Sequence, residues 1–196
     1  MINNRETGVI VENKEVAEFY TKIFMHDWNV SQTTIDLTEG WNLITPSLAP
    51  YTIFTSEHLA GNIINCTHIT YWNSTKQNFT LHTKGTDENN FNIKTGNGYM
   101  VYVTSNSTLT LQGDIIINVT MNLKMGWNSI GRFNNTAITA SELAATIGNC
   151  TSIAYWNNTQ SRFVVHPAGT GISDFMIRGK QGYMVWATND KIWFNQ

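Results

Sequence analysis

The strongest constraint on the fold of this chain is an internal duplication. Residues 59–104 align without a gap on residues 143–188, with about 22 identical residues in 46 positions, which is far more than chance composition gives. The run Thr-x-Ile-x-Tyr-Trp-Asn occupies Thr67–Asn73 and recurs 84 positions later at Thr151–Asn157. The residues that the copies share are mostly aromatic, apolar or glycine. The chain is therefore mainly two copies of one module, and the shared residues do not suggest catalysis.

Each copy has the pattern of several short strands and one short helix. In the first copy the helix is predicted over Thr55–Ile64, about two and a half turns, and the second copy has capping-box spacing in Thr139–Glu142. Glycine and asparagine turns separate the predicted strands, which are His68–Trp72, Asn78–His82, Phe91–Ile93, Gly98–Thr104 and Thr108–Leu111. One helix for every five or six strands predicts a mainly β fold, α+β in detail, with two tandem antiparallel sandwich-like or barrel-like repeats.

The sequence divides into three predicted parts, residues 1–30, 31–113 and 114–196. The second repeat opens with apolar residues at every second position from Ile115 to Met125, which predicts one long strand joining the copies without a flexible linker. Gly126-Trp127 then repeats Gly40-Trp41 at an offset of 86 residues. We therefore expect a rigid pair of repeats.

The segment before the repeats has a different pattern. Residues 7–12 predict a strand, and Asn13 can cap a helix whose apolar positions run from Val16 to Phe24 with helical spacing. The order of these features over residues 3–28 resembles the segment that closes the second half of phospholipase D-like domains. That resemblance implies a late strand and the last helix of such a domain, and a chain that is the tail of a longer surface protein or a product cut from one.

The residues that would make such a domain catalytic are not found in the repeats. The one His-x-Lys run is His82-Thr-Lys84, and the family's motif places an aspartate five residues after the lysine, where this chain has Asn89. The second copy has His166-Pro-Ala168 at the equivalent place. We therefore expect no phosphodiesterase site and assign no catalytic residue.

The repeats themselves resemble tandem modules of archaeal, notably methanogen, and some bacterial envelope proteins. The resemblance rests on the order Gly-Trp-Asn-Leu-Ile, helix, Tyr-Trp-Asn, Phe, Phe-x-Ile and Gly-x-Gly-Tyr-Met-Val-Tyr, and it covers about 160 residues. Such modules are building blocks of cell surfaces. The resemblance therefore implies an extracellular place more than an activity.

Composition favours the same location. Charged residues make up only 13% of the chain, so its solubility depends on Asn, Thr and Ser. Asn-x-Ser/Thr acceptor triplets begin at Asn29, Asn65, Asn73, Asn78, Asn106, Asn118, Asn134, Asn149 and Asn157. We take Asn65, Asn73, Asn106, Asn149 and Asn157 as glycosylation candidates, although Asn and Thr are also common in turns and strands. The first 30 residues show no signal-peptide core, so export would depend on a segment outside this chain.

Several partners are not expected. A net charge of −2 with twelve scattered Lys and Arg residues argues against binding to nucleic acid. No apolar run reaches the roughly 18 residues that a membrane-spanning helix needs. Two cysteines without metal-ligand spacing argue against a zinc site, and we expect no metal and no cofactor.

The two cysteines occupy equivalent positions in the two copies. Cys66 and Cys150 each stand inside an Asn-Cys-Thr triplet. They could form one disulfide if the copies pack about a pseudo-twofold axis near that position. Alternatively, each is a small buried hydrophobic residue at the start of a strand.

The candidate binding residues are aromatic or histidine. Trp41, Trp72, Trp127 and Trp156 could form flat platforms for sugar rings. Duplication favours a second interpretation, in which these tryptophans fill the interior of each copy. The equivalent pair His82 and His166 is interpreted as structural and hydrogen-bonded rather than as ligands or general bases.

The function that the sequence favours is a noncatalytic structural or adhesive module of a cell surface. Its partners would be surface polysaccharide, an envelope protein or another copy of itself. Three alternatives remain open: a carbohydrate-binding accessory module, a fragment of a phospholipase D-like phosphodiesterase, and a subunit of a sheath or filament. Assembly into a sheath would use an open edge strand such as Ile115–Met125.

Overall fold

The computed structural model describes residues 13–28, 31–116, 118–133 and 136–195. The described residues are mostly in strands, with three helices, which confirms the predicted mainly β class. Contacts divide it into two compact units, Met1–Val30 and Ser31–Gln196, so both repeats belong to one unit. The strand predicted over residues 7–12 and the acceptor residues Asn29 and Asn134 lie outside the described residues.

The first unit contains helix α1, Lys14–Trp28. Asn13 caps it as predicted, since its Oδ1 accepts hydrogen bonds from the backbone N–H groups of Glu15 at 2.9 Å and Val16 at 3.2 Å. The apolar side chains of Val16, Phe19 and Tyr20 are exposed. Within the described residues no helix is both long and apolar enough to cross a membrane.

The two repeats present most of their elements in the same order. The first repeat contains β1 (Ser31–Leu37), β2 (Gly40–Ile44), β3 (Leu48–Pro50), α2 (Ser56–Gly61), β4 (Cys66–Asn73), β5 (Asn78–Thr83), β6 (Tyr99–Val103) and β7 (Ser107–Ile115). The second contains β8 (Val119–Leu123), β9 (Gly126–Gly131), β10 (Ile138–Thr139), α3 (Ala140–Ile147), β11 (Cys150–Asn157), β12 (Arg162–Pro167), β13 (Met176–Ile177), β14 (Gly182–Ala187) and β15 (Lys191–Asn195).

Each repeat is an open, layered β structure with its own core. Equivalent four-stranded antiparallel sheets have the orders β2-β6-β4-β5 and β9-β14-β11-β12, and smaller sheets pair β1 with β7 and β8 with β15. The first core joins residues of the sheet, the helix and the smaller sheet, among them Leu59, Ile69 and Leu109. Trp193 takes the place of Leu109 in the second core. The described strands form no closed barrel, so the sandwich-like prediction holds.

The helices are shorter than predicted. Helix α2 has six residues and α3 has eight, because the chain leaves helical geometry at Asn62 and at Gly148, which has φ 61°. The predicted capping box is confirmed in α3. The Thr139 hydroxyl accepts the Glu142 N–H at 3.2 Å, and the Glu142 carboxylate accepts the Thr139 N–H at 2.7 Å.

The long strand predicted over Ile115–Met125 is wrong. Strand β7 ends at Ile115, where it pairs with Leu48 of β3, and β8 begins at Val119 and pairs with β15. Each repeat closes its own core, so the two halves of the alternating run serve different sheets. A boundary at residues 113 and 114 falls inside β7.

The strand predicted over Phe91–Ile93 is also reduced. It is a single bridge between Thr55 and Asn92. Its equivalent in the second repeat is the two-residue strand β13, paired with β10.

The two large sheets pack against each other across a third apolar cluster. Its buried members are Leu43, Met100, Ala154 and Met184, and the four repeated tryptophans and Phe163 pack around them. Hydrogen bonds cross this interface in equivalent pairs. The Gly131 N–H donates to the Gly96 carbonyl at 2.7 Å, and the Thr45 N–H donates to the Lys180 carbonyl at 2.9 Å. The repeats are thus related by a pseudo-twofold axis.

Gly131 has no room for a side chain at this interface. A Cβ atom there would lie 2.0 Å from the Oγ1 of Thr45. We predict that Gly131→Ala lowers the free energy of unfolding by about 1–3 kcal/mol, because Thr45, the residue that follows β2, must shift. Urea denaturation followed by tryptophan fluorescence measures the change. Gly171→Ala is the control, since a Cβ there meets nothing within 4 Å, and we expect a change of at most about 0.5 kcal/mol.

Candidate functional site

The four predicted tryptophans meet between the repeats. The indole N–H of Trp72 donates to the backbone carbonyl of Trp127 at 2.7 Å, and that of Trp156 donates to the carbonyl of Trp41 at 2.8 Å. All four rings are half-buried against the third cluster. They therefore fill neither repeat's own interior but the interface that joins the repeats.

The two indole hydrogen bonds are not equally protected. The Trp127 carbonyl also accepts from Nε2 of Gln77 at 3.0 Å, so it keeps a donor when Trp72 changes. We predict that Trp156→Phe lowers the free energy of unfolding by about 1–3 kcal/mol because it removes the indole donor from the Trp41 carbonyl. Trp72→Phe should cost less. Denaturant titration compares both with Trp186→Phe, a 39% exposed control; equal effects of the two interface variants would contradict this asymmetry.

Two apolar grooves flank the tryptophans at equivalent positions. One has a volume of about 220 Å³ and is lined by residues that include Trp72, Trp127 and Val165. The other has about 360 Å³ and includes Trp41, Trp156 and Leu81. A sugar needs hydrogen-bond partners as well as an aromatic face. These mostly apolar walls therefore suit a hexose poorly.

Two polar pockets lie where β4 turns into β5 and where β11 turns into β12, and we call them the hairpin pockets. The first has a volume of about 430 Å³ and is lined by Tyr71, Trp72, Asn73, Ser74, Thr75, Phe91, Asn92, Lys94, Asn97 and Tyr99. The second has about 460 Å³ and is lined by Tyr155, Trp156, Asn157, Asn158, Thr159, Phe175, Met176, Arg178 and Gln181. Aromatic rings, amides and one cationic residue in each pocket are the groups that recognise sugars.

The aromatic wall has nearly the same geometry in both pockets. The Tyr71 and Phe91 rings are 4.5 Å apart, and their counterparts Tyr155 and Phe175 are 4.6 Å apart. Behind Phe91 stands Tyr99, whose hydroxyl donates to the Lys94 carbonyl at 3.2 Å. Burial raises the pKa of Tyr99 to about 12. The neutral hydroxyl thus fixes the loop that carries the cationic residue.

The repeated histidines are fully buried and fasten each helix to its hairpin. Nδ1 of His82 lies 2.9 Å from the Glu88 carbonyl and Nε2 lies 2.8 Å from the Glu57 carboxylate at the start of α2. In the second repeat His166 bonds the Ile172 carbonyl at 2.8 Å and the Ser141 hydroxyl at 3.0 Å. Ser141 and Glu57 are equivalent residues that the sequence did not single out. Their shared contact indicates a structural role.

The Glu57 carboxylate makes the contact between helix α2 and the hairpin depend on pH. Hydrogen bonds from the Gly85 N–H and then from His82 lower its pKa from the usual 4.5. A lowered pKa in the folded state adds stability that is fully present above about pH 4.5 and is lost as the pH falls through the lowered pKa. The effect is moderated by solvent, because the Glu57 side chain is 35% exposed.

We predict that Glu57→Gln removes this acid-dependent component of stability. The difference in unfolding free energy between the wild type and the variant should shrink as the pH falls below 4.5, because the wild type then loses its carboxylate. Chemical denaturation at a series of pH values measures it. Ser141→Ala changes the equivalent position without removing a carboxylate, and its difference from the wild type should vary less with pH.

The cysteines do not meet. Both thiols are free and buried, Cys66 in the first core and Cys150 in the second. Burial raises the pKa of Cys66 to about 11 and also raises that of Cys150. The structure thus has the arrangement of two buried apolar residues at strand starts, not that of a disulfide.

The glycosylation candidates have different surroundings. Asn65 and Asn149 precede β4 and β11 with positive φ angles of 62° and 51°. Asn106 accepts the Glu39 N–H at 2.9 Å. Only Asn73 and Asn157 among the five line the hairpin pockets.

Comparison with known proteins identifies no relative. No family model, no curated protein and no solved structure matches the chain. Within the described residues no group of three or more His, Cys, Asp and Glu side chains could hold a metal ion.

Proposed function

We propose that this chain is a noncatalytic structural or adhesive module of an extracellular cell-surface protein. The observation that carries the proposal is the use of the repeated tryptophans, which join the two sheets through reciprocal indole hydrogen bonds. The residues that duplication kept are thus used for cohesion. Nine acceptor triplets and a 13% charged fraction add support for an exported surface.

Cohesion of this kind suits a spacer. The interface combines apolar packing with backbone hydrogen bonds between Gly131 and Gly96 and between Thr45 and Lys180. Buried hydrogen bonds resist separation, because each lost partner leaves a desolvated polar group. A pair held in this way keeps its two hairpins at a fixed separation, which suits attachment to surface polysaccharide, an envelope protein or another copy.

The location is tested on intact cells that make the protein. We predict that brief treatment with an external protease releases peptides of the repeats while a cytoplasmic marker stays intact, because an extracellular module is reachable without lysis. Mass spectrometry of the supernatant measures the release. Protection of the repeats until the cells are lysed would contradict the proposal.

A carbohydrate-binding role is a second candidate, favoured by the aromatic and cationic lining of the hairpin pockets. Lys94 and Arg178 are exposed and equivalent, so Lys94→Gln with Arg178→Gln should weaken binding of acidic polysaccharide in affinity electrophoresis. Lys76→Gln is the control, since Lys76 lies on the first hairpin but does not line its pocket. Equal loss in the control would indicate nonspecific charge attraction.

A further inference from the structure

We propose that Asn73 and Asn157 carry N-linked glycans and that the first sugar of each lies in the hairpin pocket of its own repeat. The inference rests on the proposed extracellular location, since the modification is made during export. It separates these two acceptors from the other triplets of the chain. It also names the occupant of each pocket, a sugar that is covalently attached beside it.

The side chain of Asn73 is held in one orientation by the turn. Its Oδ1 accepts the backbone N–H groups of Thr75 at 3.1 Å and Lys76 at 3.0 Å, which is an Asx turn. Because two N–H donors bond the same amide atom, that atom is the oxygen and the other is the nitrogen. The nitrogen Nδ2 therefore lies on the other side, where it is 3.4 Å from the Tyr71 hydroxyl.

The second repeat holds its asparagine by the equivalent of one of these two bonds. Oδ1 of Asn157 accepts the Gln160 N–H at 3.0 Å, and Asn157 ends β11 as Asn73 ends β4. In both copies a tyrosine stands two residues before the asparagine. Residues i and i+2 of a strand lie on the same face, so the Tyr71 and Tyr155 rings stand beside the amides to be modified.

The pocket offers what a sugar needs. An aromatic ring stacks on the apolar face of a pyranose, and Asn92, Asn97 and Lys94 of the first pocket can hydrogen-bond its hydroxyls. Volumes of about 430 and 460 Å³ fall in the usual range of small-ligand sites, roughly 300–1,000 Å³. A sugar tethered to the pocket wall has a high effective concentration there.

Among the described glycosylation candidates, Asn65 and Asn106 lack this arrangement. Nδ2 of Asn65 donates to the Ser105 hydroxyl at 2.7 Å, a much shorter hydrogen bond than the 3.4 Å contact between Nδ2 of Asn73 and the Tyr71 hydroxyl. Asn106 uses its Oδ1 to hold Glu39 of a neighbouring loop. Neither residue lines a hairpin pocket, and neither follows an aromatic residue at the i−2 position.

The chemistry needs a donor that the export machinery supplies. Nδ2 of asparagine attacks the anomeric carbon of an oligosaccharide linked to a lipid diphosphate. A C–N bond forms, the bond between the anomeric carbon and the diphosphate oxygen breaks, and the lipid diphosphate leaves with the electron pair. A base of the transferase takes the amide proton. This chain contributes only the acceptor.

Occupancy is measured on the full chain purified from the cells that make it and from a eukaryotic secretory host. We expect glycopeptide mass spectrometry to find Asn73 and Asn157 occupied in both. Thr75→Ala with Thr159→Ala removes the two acceptor triplets but keeps both asparagines. Thr108→Ala, which removes the triplet at Asn106, is the matched control. An unmodified Asn73 and Asn157 in both preparations would overturn the inference.

The place of the sugar is measured separately. Glycosylation should raise Tm by about 2–4 °C relative to Thr75→Ala with Thr159→Ala, and Thr108→Ala should not change Tm comparably. The increase should persist in Tyr71→Phe, which keeps the ring, and fall in Tyr71→Ala. NMR of the secreted wild type tests the placement without depending on whether Tyr71→Ala folds. Protons of a sugar that lies on an aromatic face are shifted upfield. Sugar protons at their solution shifts would overturn the placement.

The two proposals fail independently. If external protease reaches the repeats but Asn73 and Asn157 are unmodified, the glycan inference is wrong and the proposed function is not affected. If the pockets are occupied in the secretory host but the protein is intracellular in the cells that make it, the proposed function is wrong and the glycan inference is not affected.

Discussion

The architecture depends on two indole N–H groups that must find acceptors inside an apolar interface. An unbonded N–H in such a place is costly, and the acceptors that Trp72 and Trp156 reach are backbone carbonyls of the opposite repeat. Reaching a backbone requires the sheets to approach closely. Glycine permits that approach: a Cβ on Gly98 would lie 3.3 Å from the Cα of Gly182, its equivalent. The pair is therefore fixed in position by hydrogen bonds as well as by apolar packing.

A different set of contacts holds the elements around the hairpin pockets in place. His82 and His166 bind the start of a helix on one side and the loop after the hairpin on the other. Phe91 and Phe175, which line the two pockets, are each stacked on a tyrosine with ring centroids 6.2 Å apart. The pocket wall is thus stiff in both copies, whereas its rim has diverged, with Lys94 in one and Arg178 in the other. A shared wall with a varied rim fits a common occupant that is held by stacking.

The sequence predicted the local elements well where one pattern carries the whole signal. The capping box of Thr139 and Glu142 and the cap at Asn13 are confirmed because a cap is decided within four residues. The prediction of one strand over Ile115–Met125 is wrong for the opposite reason. Alternation reports that one face is buried, but it does not report which core buries it, and here the run divides between two.

The sequence by itself determined that two equivalent β-rich bodies exist, that each has one helix, and that aromatic residues and glycines are their common inheritance. Only the tertiary structure decided that the tryptophans lie between the bodies, that Cys66 and Cys150 lie in separate cores, and that Asn73 and Asn157 border pockets. The physical reason is range. Caps, turns and alternation are set by neighbours in the chain, whereas the partner of an indole N–H or the wall beside an amide is contributed by residues that only folding brings near.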